Sequence, residues 1–186
     1  MVQKKTKEIR LHLGCGKRNF PGFINIDKSN YKHIHYRRDV NNLKIFKNNS
    51  VHMIYASHVL EYFDQNEAKL VLREWKRVLI KGGLLRISIP NFESLIKVYK
   101  KTNNIEKIIG PLYGRMKSNN KIIYHKYVYN YKSIYTLLRS LNFKNIKLFD
   151  WKKTFHSKYD DHSQAFFPHM DKKKGILISL NIDAKK

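Results

Sequence analysis

Cysteine is almost absent from this chain: Cys15 is the only one in 186 residues. An internal disulfide is thereby excluded, and so is a cysteine-rich metal site. No apolar run approaches the roughly 20 residues that span a bilayer, so no membrane insertion is expected. The stretch Met1-Val2-Gln3-Lys4-Lys5 has no apolar core behind it, so no secretory signal is expected and the chain reads as cytoplasmic. The histidines form neither a His-x-x-x-His helix nor a Glu-x-x-His pair. Consecutive ligands such as Asp160-Asp161-His162 rarely converge on one ion, so a metal-free site is expected.

Acidic residues are also scarce. Asp and Glu number 14 against 38 Lys and Arg, giving a formal charge of +24. Such a charge raises nucleic acid as a partner. The excess, however, is mostly Lys, spread along the chain among many Asn, Ile and Tyr, the mixture an AT-rich genome encodes. Arg, which forks phosphates and reads bases, is sparse. Composition therefore favours drift over a dedicated nucleic-acid surface, and an anionic small molecule fits either reading.

The length suits one domain, residues 1–186, with a sizeable core. Strand-like and helix-like segments alternate, which predicts an α/β domain with a largely parallel sheet. Strands are expected at Ile9–Leu13, Phe23–Ile26, Ile34–Arg38, Val51–Ala56, Leu84–Ile89, Ile146–Trp151 and Gly175–Ile182. The clearest helix is Gln65–Ile80, opened by Asp64 and Glu67 in capping-box spacing. Its apolar stripe is Ala68, Val71, Leu72, Trp75, Val78 and Leu79, and Gly82-Gly83 is expected to stop it. A second helix is expected at Tyr131–Leu141. The segment 102–125, with Gly110-Pro111, Gly114 and Ser118-Asn119-Asn120, reads as an irregular insertion, either a surface excursion or a lid over a ligand crevice.

The most informative stretch is Leu11-His12-Leu13-Gly14-Cys15-Gly16, an apolar strand running into a Gly-x-Gly turn. Asp27 ends the next apolar run, Phe23-Ile24-Asn25-Ile26-Asp27. A glycine turn that lets a ligand approach the backbone, followed by an acid that accepts from ribose hydroxyls, is a nucleoside-binding arrangement. The dinucleotide fingerprint fails, because its third glycine falls at Asn19 and Asp27 comes well before its acid is due. Only Gly14 to Gly22 separates the two strands, whereas a parallel crossover takes about a dozen residues or more. The first crossover helix must be missing or reduced to a turn, leaving the pocket more open there.

Two further motifs follow in order: Ile54-Tyr55-Ala56-Ser57-His58-Val59-Leu60-Glu61-Tyr62, and Glu74 through Lys81-Gly82-Gly83 to Ile89-Pro90. With the glycine turn and Asp27, they resemble the class I S-adenosylmethionine-dependent methyltransferases, and within them a small subgroup associated with surface polysaccharide biosynthesis. The likeness runs from about Leu11 to Pro90 and resumes more loosely at His125–Leu141 and Asp160–Ile182. It implies a Rossmann-like seven-stranded sheet, mostly parallel with an antiparallel last strand and helices on both faces. It implies S-adenosylmethionine as cofactor, with Leu13, Gly14, Cys15 and Gly16 beneath its methionine and ribose, Asp27 on the ribose, and Asp39 near the adenine. Ala56, Ser57 and His58 would border the methyl-donor side. The chain departs from the pattern in lacking the loop's third glycine, with Arg18 in that area. It also has His52 where an acid is frequent and Tyr62 where a histidine is common.

Methyl transfer to a hydroxyl calls for an aligned acceptor, excluded water and often a base. His58 sits in the right place in sequence, as either that base or a packing residue at a strand–helix junction. His125, Asp161 and His162 are further catalytic candidates, although Asp160 and Asp161 also read as solvated turn residues. The stretch Ser163-Gln164-Ala165-Phe166-Phe167-Pro168-His169 is a candidate acceptor-pocket wall. No Asn/Asp-Pro-Pro-aromatic motif follows the fourth strand, and Cys15 is committed to the glycine turn. These absences leave an oxygen acceptor on a sugar, a sugar nucleotide or another small metabolite as the expected substrate. An RNA or tRNA methyltransferase, or a non-catalytic cofactor-binding protein, is the alternative.

Overall fold

A computed structural model of the protein describes residues 8–118 and 121–186. The leader reading of Met1-Val2-Gln3-Lys4-Lys5 and the turn at Asn119-Asn120 lie outside the described residues. The elements in chain order are β1 Arg10–Leu13, β2 Ile24–Asp27, β3 Tyr36–Arg37, β4 Val51–Ser57, α1 Gln65–Val78, β5 Leu79–Pro90, α2 Phe92–Thr102, α3 Glu106–Tyr113, β6 Met116–Ser118, β7 Lys121–Ile123, α4 Tyr131–Ser140, β8 Lys144–Leu148, β9 Phe166–Phe167, β10 Ile176–Leu177 and β11 Ser179–Lys185.

Seven strands form one sheet in the order β3-β2-β1-β4-β5-β11-β8. The first five run parallel, and β11 is inserted antiparallel between β5 and β8. Chain order reverses between β1 and β4, and the carboxyl ends of those strands flank the crevice where open α/β sheets take ligands.

Alternation along the strands sorts the side chains onto two unlike faces. Leu11, Leu13, Ile54, Ala56, Leu85, Ile87, Leu180 and Ile182 form an apolar face with α1 and α4. Helix α1 presents Ala68, Val71, Leu72, Trp75 and Val78 to it, and Asp64 and Glu67 close its capping box. The opposite face carries His12, Asn25, Tyr55, Ser88, Asn181 and Asp183, all buried. No helix lies between β1 and β2, as the short spacing requires. Phe20 and Phe23 fill that place instead, and segment 155–159 comes back over them. Phe155 stacks on Phe23 at 4.9 Å, and Tyr159 lies 5.2 Å from Phe20. The helical cover is thus uneven, with an aromatic layer over the polar face near β1.

Several boundaries differ from expectation. Helix α1 ends at Val78, not Ile80, because Leu79 already pairs with Val51 as β5 begins. The Gly82-Gly83 pair therefore lies inside β5, at a register shift, with Gly82 at φ 76°. Segment 102–125 is not irregular: it carries α3 and the antiparallel β6–β7 pair. The run Gly175–Ile182 divides into β10, which pairs with β9, and β11. Among the described residues no helix is long and apolar enough to cross a membrane.

Candidate cofactor and transfer site

The glycine turn is held from both sides. Gly14 N–H donates to the Ile26 carbonyl at 2.8 Å, and Gly16 N–H donates to Asp27 Oδ2 at 2.9 Å. Both glycines have positive φ, 63° and 53°. Their surroundings differ. A β-carbon on Gly14 would meet a Val59 methyl at 2.4 Å, so this glycine lets the turn after β1 pack against the turn after β4. A β-carbon on Gly16 would meet nothing within 4 Å, so the backbone there faces open space, as close ligand approach requires.

Asp27 accepts one backbone N–H on each oxygen, Gly16 on Oδ2 and Ser29 on Oδ1 at 2.8 Å. An ionised carboxylate has about four lone-pair sites, so each oxygen keeps capacity for a ribose hydroxyl. Leu13, Cys15 and Ala56 are buried beneath this ground. Burial, followed by the charge of Asp27, pushes the Cys15 thiol up to about 12, which makes it unreactive. Ser57 Oγ is buried without a hydrogen-bond partner. Asp39 lies two residues past β3, half-exposed and paired with Lys28. A cavity of about 310 Å³ opens where the first helix is missing, lined by Phe20, Gly22, Phe23, Lys32, His33 and His35.

Three of the four catalytic candidates come together. His58 sits just past β4 at φ 54°, an uncommon conformation for a side-chain-bearing residue. Its Nε2 lies 2.7 Å from Ser179 Oγ and its Nδ1 lies 3.4 Å from Glu61 Oε1. His162, exposed, lies beside it with ring centroids 4.9 Å apart and the rings tilted by 33°. His125 Nε2 lies 3.8 Å from the same Glu61 oxygen, and its Nδ1 lies 3.2 Å from the Leu112 carbonyl. Burial, reinforced by His162 and His125, holds His58 well below the usual histidine range; burial also lowers His125. Beside His125 lies an aromatic cavity of about 530 Å³, lined by Phe92, Tyr113, Tyr127 and Tyr129 among others.

Asp161 stands apart from this group. It is 3% exposed, accepts from the Tyr55 hydroxyl at 2.7 Å and from Ser163 N–H at 2.6 Å, and faces His156 Nδ1 at 3.2 Å. Burial works to raise it, but His156, Ser163 and Tyr55 together hold it down at about 2. These contacts tie segment 155–164 to the sheet. Arg18 adds to the tie by donating Nε–H to the Asp160 carbonyl at 2.7 Å. Ser163 and Gln164 are buried, and Gln164 Nε2 donates to the Tyr159 carbonyl at 2.8 Å, so this part of the expected acceptor wall braces the segment. Glu61 and Ser179 were not singled out from sequence; the i,i+3 spacing of His58 and Glu61 was the one available signal. Among the described residues no three His, Cys, Asp or Glu side chains group as metal ligands.

Residues 19–87 match the family model described as "Methyltransferase domain". No curated protein sequence matches the chain. Among solved structures, a methyltransferase dependent on S-adenosylmethionine from Thermotoga maritima superposes with a TM-score of 0.62 at 16% identity, covering 97% of this chain and 83% of that one. Another from Archaeoglobus fulgidus gives 0.59 at 17% identity, covering 98% and 87%. The 1,6-didemethyltoxoflavin-N1-methyltransferase of Burkholderia thailandensis, solved with S-adenosylhomocysteine bound, gives 0.55 at 10% identity, covering 96% and 70%. The chain therefore has the fold of these methyltransferases, and its residues 19–87 match a methyltransferase domain.

Proposed function

We propose that this protein is a methyltransferase that moves the methyl group of S-adenosylmethionine to a hydroxyl oxygen of a saccharide, a sugar nucleotide or another small metabolite. The observation that supports the reading is the packing of the Gly14 turn on Val59, next to His58 at the end of β4, together with the bond from Gly16 N–H to Asp27 at the end of β2. Asp27 would hold the ribose hydroxyls, and the open backbone at Gly16 would pass beneath the cofactor. The cofactor supplies an electrophilic methyl group. The protein's part is to bind, to exclude water with segment 155–164, and to manage the acceptor's proton near His58. A hydroxyl acceptor is favoured by the imidazole group at the crevice and by an unreactive Cys15, which leaves no thiol for covalent activation of a base.

The test is calorimetric titration of S-adenosylhomocysteine into the native protein and Asp27→Ala. Micromolar binding that the substitution weakens tenfold or more, about 1.4 kcal/mol, supports the cofactor and the ribose acid together. No binding to the folded native protein overturns the reading. A steep salt dependence of RNA binding would shift the acceptor to nucleic acid.

A further inference from the structure

Among the described residues, Glu61 is the buried carboxyl that faces His58 directly. It is 1% exposed, and neither of its side-chain oxygens has a hydrogen-bond partner. The turn that carries it is firmly held, since Lys126 and Tyr127 N–H both donate to its carbonyl, at 2.8 and 3.2 Å. Two imidazoles face its Oε1, His58 and His125.

The hydrogen-bond inventory fixes which ring nitrogens carry hydrogen. Ser179 has one hydroxyl proton, and its very close contact with the His162 carbonyl places the proton there. Ser179 Oγ is then the acceptor toward His58, so His58 carries its hydrogen on Nε2. By the same logic, His125 Nδ1 donates to the Leu112 carbonyl. His58 Nδ1 and His125 Nε2 therefore both turn lone pairs toward one carboxyl oxygen. A carboxylate would repel both, whereas a protonated carboxyl satisfies one of them.

We propose that Glu61 is a positioning residue that selects the tautomer of His58. Protonated, it donates toward Nδ1 and keeps His58 as a hydrogen-bond donor at Nε2. Ionised, it draws the ring hydrogen to Nδ1 and leaves Nε2 with a lone pair. In that second state Nε2 can take the proton of Ser179 Oγ, 2.7 Å away, while Ser179 Oγ takes the hydroxyl proton of a methyl acceptor. The acceptor oxygen forms the new O–CH3 bond with a lone pair, the S–CH3 bond breaks with its electrons left on sulfur, and a proton reaches Nε2 through Ser179 Oγ. Glu61 then neutralises the imidazolium.

Burial pushes the Glu61 carboxyl up to about 8, consistent with a neutral resting state that switches in mildly alkaline solution. The other titratable groups around the switch are Tyr62 and Tyr129, both raised by burial and by Glu61. Toward His58, His162, Arg18 and Asp161 add their charges. The left-handed backbone at His58 fits a residue held for function rather than local comfort.

The inference takes its chemical purpose from the methyl-transfer reading, but its test needs neither acceptor nor cofactor, so either can fail without the other. The experiment is nitrogen-15 NMR of the histidine rings between pH 6 and 9.5, with His58 assigned by the resonance lost in His58→Gln. In native protein His58 should pass from Nε2–H to Nδ1–H with a midpoint near pH 8. In Glu61→Gln, whose amide does not ionise in this range, His58 should keep one tautomer throughout. Ser179→Ala removes the Nε2 acceptor and should move the native transition to lower pH; this keeps the test open should the Gln variant misfold. A native His58 that holds one tautomer across the range, or a transition that persists in folded Glu61→Gln, overturns the proposal.

Discussion

A methyl group of Val59 occupies the space that a side chain on Gly14 would need, 2.4 Å from the position of its β-carbon. The turn after β1 and the turn after β4 are thereby packed with no room for an extra atom. Gly14→Ala adds the clash to the strain of a positive φ, and should cost about 2 kcal/mol or more in stability while weakening S-adenosylhomocysteine binding. The double variant with Val59→Ala should recover the steric part of the loss but not the backbone part. Denaturant unfolding and calorimetry of the single and double variants check this.

Stability should peak near pH 6.5 and fall on both sides. Glu61 has a raised value when folded, so the folded state holds a proton that the unfolded chain releases. Stability is then lost as pH rises from about 4.5 to about 8. At about 1.4 kcal/mol per pK unit, the full loss is on the order of 5 kcal/mol, about 2 kcal/mol of it above pH 6.5. Glu61→Gln should raise the melting temperature at pH 8 and do so much less at pH 5. On the acid side, burial lowers His58 and His125, and holds His12 at about 4, so the unfolded chain takes up protons first and stability is lost as pH falls from about 6.5. His12→Phe should flatten that limb while keeping the stack on Phe20 at 4.6 Å.

Segment 155–164 is tied down by Arg18, by Phe155 on Phe23 and by Asp161 on Tyr55. Arg18→Ala should leave the melting temperature within about 0.5 kcal/mol equivalent of native, since its bond is near the surface. Tryptic cleavage at Lys152, Lys153 and Lys158 should nonetheless quicken several-fold, and S-adenosylhomocysteine should slow it again. Unchanged cleavage would mean the aromatic contacts alone hold the segment.

Cys15 should resist alkylation. With the thiol pushed up to about 12 and 2% exposed, iodoacetamide at pH 8 should modify the native protein far more slowly than the urea-unfolded chain. Mass spectrometry of the single thiol reads the ratio directly.

Local pattern carried the sheet core. Leu11–Gly16 and Phe23–Asp27 declared β1, β2 and the missing helix, because the distance between them was too short for a crossover. The stripe from Ala68 to Val78 declared α1 for the same reason of spacing. What failed was decided by contacts distant in sequence. Leu79 continues the apolar period of the helix, yet its pairing with Val51 makes it a strand residue. Helix α2 was missed, although Leu95 and Val98 are fully buried, because lysines interrupt its short period. His58, His125 and His162 were named from position in the chain, but the meeting of His58 and His125 at Glu61, with His162 beside His58, requires β4, the stretch after β7 and the approach to β11 to come together. Nothing local marks Glu61 as buried, and nothing local marks Asp161 as bonded to Tyr55, 106 residues away.

The insertion of β11 between β5 and β8 also bears on biosynthesis. From Leu84 to Pro90, the edge of β5 pairs residue by residue with Ser179–Lys185, and Arg86 finds its carboxylate only on Asp183. Until that strand leaves the ribosome, a growing chain displays a long apolar strand edge and an unpaired guanidinium beside it. Open edges of this kind recruit strands from other molecules. The growing chain is therefore most prone to aggregate between the emergence of β5 and that of β11, and a chaperone that shields β5 would protect it best in that interval.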